Sequence, residues 1–460
     1  MSEKDEKNLK QVVKQIGLVM TGVFAGVVLS LNFSASADSA IEPLPLDEFR
    51  AFSDVFTAIK QGYVEPVEDK KLFTHAISGM LSGLDPHSAY LDAEAFKELQ
   101  VGTQGEFGGL GIEVGMENGF IRVVSPIEDT PAFRAGMQTG DLIVKIDDTP
   151  VKGMNLNDAV KLMRGKPATR VTLTVARKGA QEPIVLTLTR EVIKVKSVKS
   201  KVIEPGYAYL RVTQFQENTT ASVAEHLAQL GKNGAPKGLV LDLRNDPGGL
   251  LNGAVGVSAA FLPVGATVVS TDGRTADSHR QFRVDASDYL RGEHEDFLRK
   301  LPPWIKEVSM VVLVNGGSAS ASEIVAGALQ DHKRAVIMGT RTFGKGSVQT
   351  ILPLKNATAL KLTTARYYTP SGRSIQAKGI EPDIVVEESS HGSARRLREA
   401  DLAGHLGNDK DPGADAEADG HGDTPEAGES PRFELAGKDD YQLVQAINLL
   451  KGLQVVQGKK

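Results

Sequence analysis

SMVVLVNGGSASASEIVAGALQDHKRAVIMGTRTFGKGSVQ, residues 309–349, is the stretch that decides how this chain folds. Residues 309–314 form a short, continuous apolar run, the mark of a strand buried on both faces. A glycine- and serine-rich turn follows, then apolar residues at helical spacing over 321–329, then a second apolar run over 334–338. Strand, turn, helix and strand in that order make a unit of an α/β sheet. The two turns carry the chemistry. Ser318, Ser320 and Ser322 open the helix, and Lys345 stands between Gly344 and Gly346. A serine hydroxyl is a poor nucleophile unless a base removes its proton, and lysine is such a base only when burial lowers its pKa towards neutrality. The helix and strand between the turns can return the lysine to the mouth of the serine's helix, where backbone N–H groups face a developing oxyanion. Spacing leaves the bland readings open: serines before a helix are commonly caps, and a lysine between glycines is commonly a solvated loop tip.

The same alternation extends upstream. Residues 207–215 read as a strand, 219–230 as an amphipathic helix with Asn218 as N-cap, and 238–243 as a buried strand. Asp242-Leu243-Arg244-Asn245-Asp246-Pro247-Gly248-Gly249 then leads into a helix over 250–261. Ligands of open α/β sheets collect where strands end and helices begin. Residues 274–304 are more polar and read as a surface insertion or flap. Strands near 350–353 and 359–364 complete this region. Gly339 to Lys345 fits a phosphate-binding GxxxxGK pattern, but Gly346 stands where Ser or Thr is needed. A Ser-His-Asp triad through His226 or His332 lacks the G-x-S-x-G turn.

Towards the N-terminus, residues 45–99 carry two helical patterns broken near Pro66, a hairpin that packs on a neighbour or serves as a dimerisation arm. A turn, Leu84-Asp85-Pro86-His87-Ser88, ends it, and His87 reads as a turn residue. Residues 105–190 show β-type alternation with one helix over 155–163. Earlier still, Lys4, Lys7, Lys10 and Lys14 precede an uncharged stretch, residues 15–37, with an apolar run over 16–31 and the small residues Ser34-Ala35-Ser36-Ala37. This is an export signal, cleaved or kept as a short anchor. The chain has 460 residues, net charge −5 and no cysteine. Disulfides and thiol chemistry are excluded, no basic stripe argues for nucleic acid, and the nine histidines show no metal-ligand spacing. No metal and no cofactor are expected. Residues 389–430 shift to Gly, Asp, Glu, Ala and Pro, the composition of a flexible acidic linker. A closing helix over 439–453 has an apolar face of Leu443, Val444, Ile447 and Leu450, which could dock on the core or on a partner.

Two resemblances add to this reading. Phe107-Gly108-Gly109-Leu110-Gly111-Ile112-Glu113-Val114, then Pro131-Ala132, Ala135-Gly136 and Gly140-Asp141-Leu142-Ile143, resemble a PDZ domain. The resemblance implies capture of protein C-termini by strand addition, with the terminal carboxylate held by the loop Gly109, Leu110, Gly111 and Ile112. Ser318 to Ile324, Gln330-Asp331, Thr342 to Gln349 and Asp242 to Asn245, over residues 45–388, resemble the carboxyl-terminal processing peptidases, the tail-specific Ser/Lys endopeptidases. That resemblance implies a multidomain α/β protein: a ClpP/crotonase-like α/β core, an inserted PDZ domain and an N-terminal helical hairpin. It implies Ser320 as nucleophile, Lys345 as general base, Gln349 orienting the lysine and Asp331 as an acidic residue important for activity. Ala321 and a turn glycine, best assigned to Gly248, would form the oxyanion hole. Asp246-Pro247-Gly248-Gly249 departs from the Asn-Gly-Gly-Gly of many relatives, which leaves the choice of glycine open.

The organisation expected is a signal or anchor over 1–37, a helical region over 38–102, the PDZ domain over 103–190, the peptidase core over 191–388, the acidic linker over 389–431 and the last helix over 432–460. The function implied is a serine endopeptidase acting on exported or cell-envelope proteins in the periplasm or at the inner membrane. Its partners would be substrate C-termini, an activating adaptor or lipoprotein, and further copies of itself through the terminal helices. The rival reading is a catalytically inactive PDZ-based adaptor.

Overall fold

The computed structural model describes residues 45–117, 119–127, 129–194, 196–291, 296–387, 397–411, 437, 440–456 and 458. The expected export signal lies outside the described residues. Among those described, no helix is long and apolar enough to cross a membrane. Two compact units divide the chain, residues 1–76 and 77–460. The first holds helix α1 (Leu46–Gly62) and the start of α2 (Asp69–Ser82). Phe73 of α2 meets Phe52 and Phe56 of α1, with ring centroids 6.3 and 5.0 Å apart, and no residue of α1 is buried.

The second unit runs through strand β1 (Ala89–Leu91) and helix α3 (Ala93–Gln104), which Asp92 caps, into a β-rich body. That body comprises β2 (Glu106–Gly109), β3 (Ile112–Glu117), β4 (Phe120–Pro126), the short helix α4 (Pro131–Arg134), β5 (Leu142–Ile146), β6 (Thr149–Pro150), α5 (Leu156–Met163), β7 (Arg170–Ala176), β8 (Ile184–Thr189) and β9 (Glu191–Lys194). Its sheet runs β3-β4-β5-β7-β8, with β6 on β5, while β2 pairs with β9. Alternate residues Ile121, Val123, Ile143, Val171, Leu173 and Val175 point into one core, as a period of two requires. Asn155 caps α5 by accepting from Asp158 N–H.

The α/β core holds β10 (Val198–Glu204), β11 (Tyr207–Val212), α6 (Thr219–Leu230), β12 (Gly238–Asp242), α7 (Leu251–Phe261), β13 (Thr267–Gly273), β14 (Arg280–Arg283), α8 (Ala286–Tyr289), α9 (Trp304–Glu307), β15 (Ser309–Val314), α10 (Ala321–Asp331), β16 (Val336–Gly339), β17 (Ser347–Pro353), β18 (Ala359–Tyr368) and β19 (Ile384–Val385). One sheet runs β10-β11-β12-β15-β16-β19. It is parallel from β11 onwards, and every residue of β11 and β12 is buried, which is why those strands read as apolar runs, interrupted only by the buried pair Arg211 and Asp242. A second, antiparallel sheet is ordered β1-β18-β13-β14, with β17 on β18. The last helix, α11 (Tyr441–Val456), lays Leu443, Ala446, Ile447 and Leu450 on the first sheet, against Tyr209, Val240, Val311 and Leu313. Of the face read from the sequence only Val444 is exposed.

Several local readings change. Asn218 makes no side-chain cap; Thr219 Oγ1 instead accepts from Gln216 N–H at 2.8 Å, which fixes the loop entering the helix. Among the described residues of 274–304, Val284 and Tyr289 are buried in the core and Phe282, Leu298 and Trp304 pack against it, so this part is no loose flap. Residues 397–411 fall within the expected acidic linker, yet they pack: Glu399 is fully buried, Asn408 donates to Gln376 O, and Asp409 accepts from Tyr368 and Ser374. Composition fails there because this segment's polar groups find partners on the core.

Candidate active site

Strand β15 ends in the serine turn, and each of its three serines has a separate fate. Ser318 donates its hydroxyl to Leu243 O, and Ser322 donates to Asp246 O, both at 2.8 Å. These two hydroxyls tie the serine turn to the turn after β12. The Ser320 hydroxyl instead meets the buried phenol of Tyr367, which burial pushes up to about 12 against its bond to Ser320. Ser320 has φ 55° and ψ −111°. A non-glycine residue held there costs about 1–3 kcal/mol, and such strain clusters at functional sites. The G-x-S-x-G sequence is absent, but the chain makes a comparably sharp turn between strand and helix.

Glu323 holds that turn. It is fully buried and accepts from Ser320 N–H at 2.7 Å, Gly344 N–H at 2.7 Å, Lys345 N–H at 3.0 Å and the Thr342 hydroxyl at 2.6 Å. Burial pushes its carboxyl up to about 7 against these four donors. One side chain thus braces the serine turn against the lysine turn, and Phe343 N–H adds a backbone bond to Ser318 O. Sequence reasoning missed this role, although Ser320-x-x-Glu323 is the capping-box pattern.

The lysine turn buries most of Lys345. Desolvation, reinforced by Lys361, pulls its amine below the ordinary lysine range, while Glu399, Glu323 and Asp85 pull the other way. Among the described residues, Lys345 Nζ makes no hydrogen bond, to Ser320 or to any other group. Gln349 on β17 donates its amide to Ser347 at 2.9 Å and to Thr363 at 3.3 Å, and its oxygen is unbonded among the described residues. Asp331 sits elsewhere. It closes the far end of α10, about 16.5 Å along the axis from Ser320 at 1.5 Å per residue, and binds Ser371 N–H and Arg373. Burial opposes ionisation there, but bonds from Thr369 and Ser371 hold the carboxyl below its usual range. His226 bonds Ser200 and His332 bonds Thr267 O, so neither forms a triad with Ser320.

Gly248 packs directly beneath Ser320. A Cβ there would lie 2.7 Å from Ala319 O and 2.9 Å from both Ala321 N and Ser320 Cβ, so only glycine fits. Its N–H, however, donates to Asp246 Oδ1 at 2.8 Å. The N–H groups of Ala321 and Gly249 carry no bond among the described residues. Behind the turn, Asp242 is fully buried and receives Tyr209 and Arg211 besides Arg244. Arg244 reaches on to Asp440 at 2.6 and 2.8 Å, and Asn245 and Asn315 join the two turns.

In the β-rich body, the loop expected to hold a carboxylate is pinned from behind. Ile127 N–H and the Thr130 hydroxyl bind Gly111 O, and Ala132 N–H binds Leu110 O. Strand β3, which follows the loop, pairs only with β4 among the described strands and so ends the sheet. An edge of this kind can accept an added strand.

Comparison with known proteins agrees with this architecture. Residues 206–386 match the peptidase family S41 model, 122–177 a PDZ domain, and 28–95 the activating protease CtpB N-terminal domain. Over 439 residues the chain is 46% identical to a carboxy-terminal-processing protease of Bartonella bacilliformis, covering 93% of this chain and 94% of that one. It is 35% identical over 341 residues to the carboxy-terminal processing protease CtpA of Bacillus subtilis, covering 74% and 69%. The photosystem II D1 C-terminal processing protease, a solved structure, is similar at 32% identity over 73% of this chain and 86% of that one, with a TM-score of 0.43. The molecule is a serine-type peptidase, a hydrolase with a PDZ domain suited to protein C-termini. With nearly its whole length aligned at that identity, the chain belongs to the carboxy-terminal-processing proteases of peptidase family S41.

Proposed function

We propose that this chain is an endopeptidase in which Ser320 is the nucleophile, Lys345 the general base and Gln349 the acceptor that orients the lysine amine. One observation carries the reading. Of the three serine hydroxyls, Ser318 and Ser322 are spent on backbone carbonyls, whereas Ser320 stands on the strained turn that Glu323 braces against a desolvated lysine. The protein substrate is held by its C-terminus along β3 and the Gly109–Ile112 loop, and its chain enters the core. Ser320 Oγ attacks a peptide carbonyl while its proton passes to neutral Lys345. Lys345 then protonates the leaving amine, and water hydrolyses the acyl-enzyme. Ala321 N–H and the unspent Gly249 N–H serve the oxyanion better than Gly248, whose N–H Asp246 holds. Because Lys345 and Ser320 are not bonded here, this conformation is a resting one, and substrate engagement closes the pair. Asp331 acts from a distance, through the far end of α10 and the 369–373 segment. Substrates are exported or cell-envelope proteins, reached because residues 1–37 carry the chain out of the cytoplasm.

Ser320→Ala and Lys345→Ala should each lower kcat for a protein substrate with an apolar C-terminus by about 10⁴-fold or more, with folding intact by circular dichroism. The base works only when deprotonated, so wild-type kcat/KM should fall as pH drops through the depressed Lys345 pKa. Wild-type turnover in either variant refutes the assignment, and a serine-reactive probe should label the wild type but not Ser320→Ala.

A further inference from the structure

The turn at residues 85–88 directly follows α2 in sequence, and the chemistry above does not use it. Both of its ionisable side chains nevertheless end in the walls around Lys345. Asp85 is 5% exposed and accepts from His87 N–H, Ser88 N–H and the Ser88 hydroxyl at 2.7–2.8 Å. Thr363 Oγ1 donates to it at 3.1 Å. Burial opposes the charge, but these four bonds hold Asp85 below the usual carboxylate range. An ionised carboxylate only accepts. The Thr363 proton is therefore committed to Asp85, and the Thr363 oxygen is left to accept from the Gln349 amide at 3.3 Å. This settles which way the amide faces: its NH2 is spent on Thr363 and Ser347, and its oxygen is left to accept from an amine.

The same logic recurs across the lysine turn. His87 Nε2 lies 2.8 and 3.0 Å from the two oxygens of fully buried Glu399. Gln376 donates its amide to Glu399 at 2.9 Å, which leaves Gln376 Oε1 to accept from Gly346 N–H at 3.0 Å. Glu399 N–H donates to Phe343 O at 3.1 Å. Residues on both sides of Lys345 are thus held by a segment that begins beyond the family match, which ends at 386.

We propose that Asp85 and Glu399 are positioning residues of the peptidase site, each a carboxylate that orients one glutamine amide, Gln349 and Gln376 respectively, around Lys345, with His87 joining the two. The proposal rests on Lys345 being the base. Through Thr363 the turn at 85–88 sets the acceptor for the amine, and through Glu399 it fixes the backbone that carries it.

The test uses the full chain and the variants Asp85→Asn, Thr363→Val and Glu399→Gln, with Ser320→Ala as control. Each of the three should lose about 10²-fold in kcat, the scale of a misplaced catalytic group, with KM unchanged. The amine faces Lys361 on β18, Glu323 on α10, Glu399 and Asp85. The carboxylates favour its charged form, so Asp85→Asn and Glu399→Gln should move the acid limb of the kcat/KM profile to lower pH. Thr363→Val removes no charge and should lower kcat with that limb in place, a combination that a merely structural lesion does not produce. Wild-type kcat and an unmoved limb in folded variants would overturn the proposal. If Asp85→Asn fails to fold, Thr363→Val decides, because it keeps the side-chain shape. An active Ser320→Ala control would instead refute the reading of the dyad.

Discussion

Asp246 is fully buried, with Oδ1 taken by Gly248 N–H and Oδ2 without a partner among the described residues. A charged oxygen in that position lacks both water and a donor, so burial pushes the carboxyl up to about 8. Asp242 opposes its ionisation, and Arg211 favours it. Between the ordinary aspartate value near 4 and 8, the folded state keeps a proton that the unfolded state has released. Stability therefore declines as pH rises through that window and levels off above it. Asp246→Asn keeps the turn and removes the titration. Its thermal midpoint should fall less than that of the wild type from pH 5 to pH 8, the remaining decline coming from Glu323, whose carboxyl is pushed up to about 7, and parallel curves would refute the protonated state. Sequence alone names this residue but not its condition. It likewise presents three serines without ranking them, because the direction of a hydroxyl depends on carbonyls supplied by the turn after β12, some 75 residues away.

At the scale of elements, helices and buried strands were legible because their periodicities are local, and the glycine loop of the PDZ body was legible as a string. Gly111 shows what the string encodes. Its φ is +74°, and a Cβ would lie 2.2 Å from the Thr130 side chain, so any larger residue must displace either the loop or α4. Gly111→Val should abolish binding of a fluorescent peptide carrying an apolar C-terminus, measured by anisotropy, while cleavage of a short peptide too small to need the PDZ body persists. Loss of both together would mean that the loop supports the core rather than capture. The packed segment 397–411 was not legible, because Glu399 finds its partners at His87, Phe343 and Gln376, contacts that no window of sequence contains.

For the whole molecule, the end of the chain closes the core. Helix α11 covers one face of the β10–β19 sheet, and Asp440 just before it forks onto Nη1 and Nη2 of Arg244, with Asp242 accepting from Nε and Nη2 and Gln442 from Nη1. The guanidinium is 5% exposed, so removing one partner leaves a buried donor short of an acceptor. Asp440→Ala should cost about 1–3 kcal/mol in denaturant unfolding, with the slope against denaturant unchanged. A neutral substitution would mean that Asp242 and Gln442 satisfy Arg244 between them.

The packing of Glu399 also bears on when the peptidase becomes active during its own synthesis. Domains fold as they emerge, N-terminal first, so the serine and lysine turns are made and could collapse while the last sixth of the chain is still on the ribosome. On the proposed arrangement the lysine turn lacks its second brace until residues 397–411 arrive, and the core lacks the cover of one sheet face until α11 docks. On that arrangement a chain ending before residue 397 carries Ser320 and Lys345 without the segment that braces the lysine turn, and its proteolytic competence waits on residues 397–411.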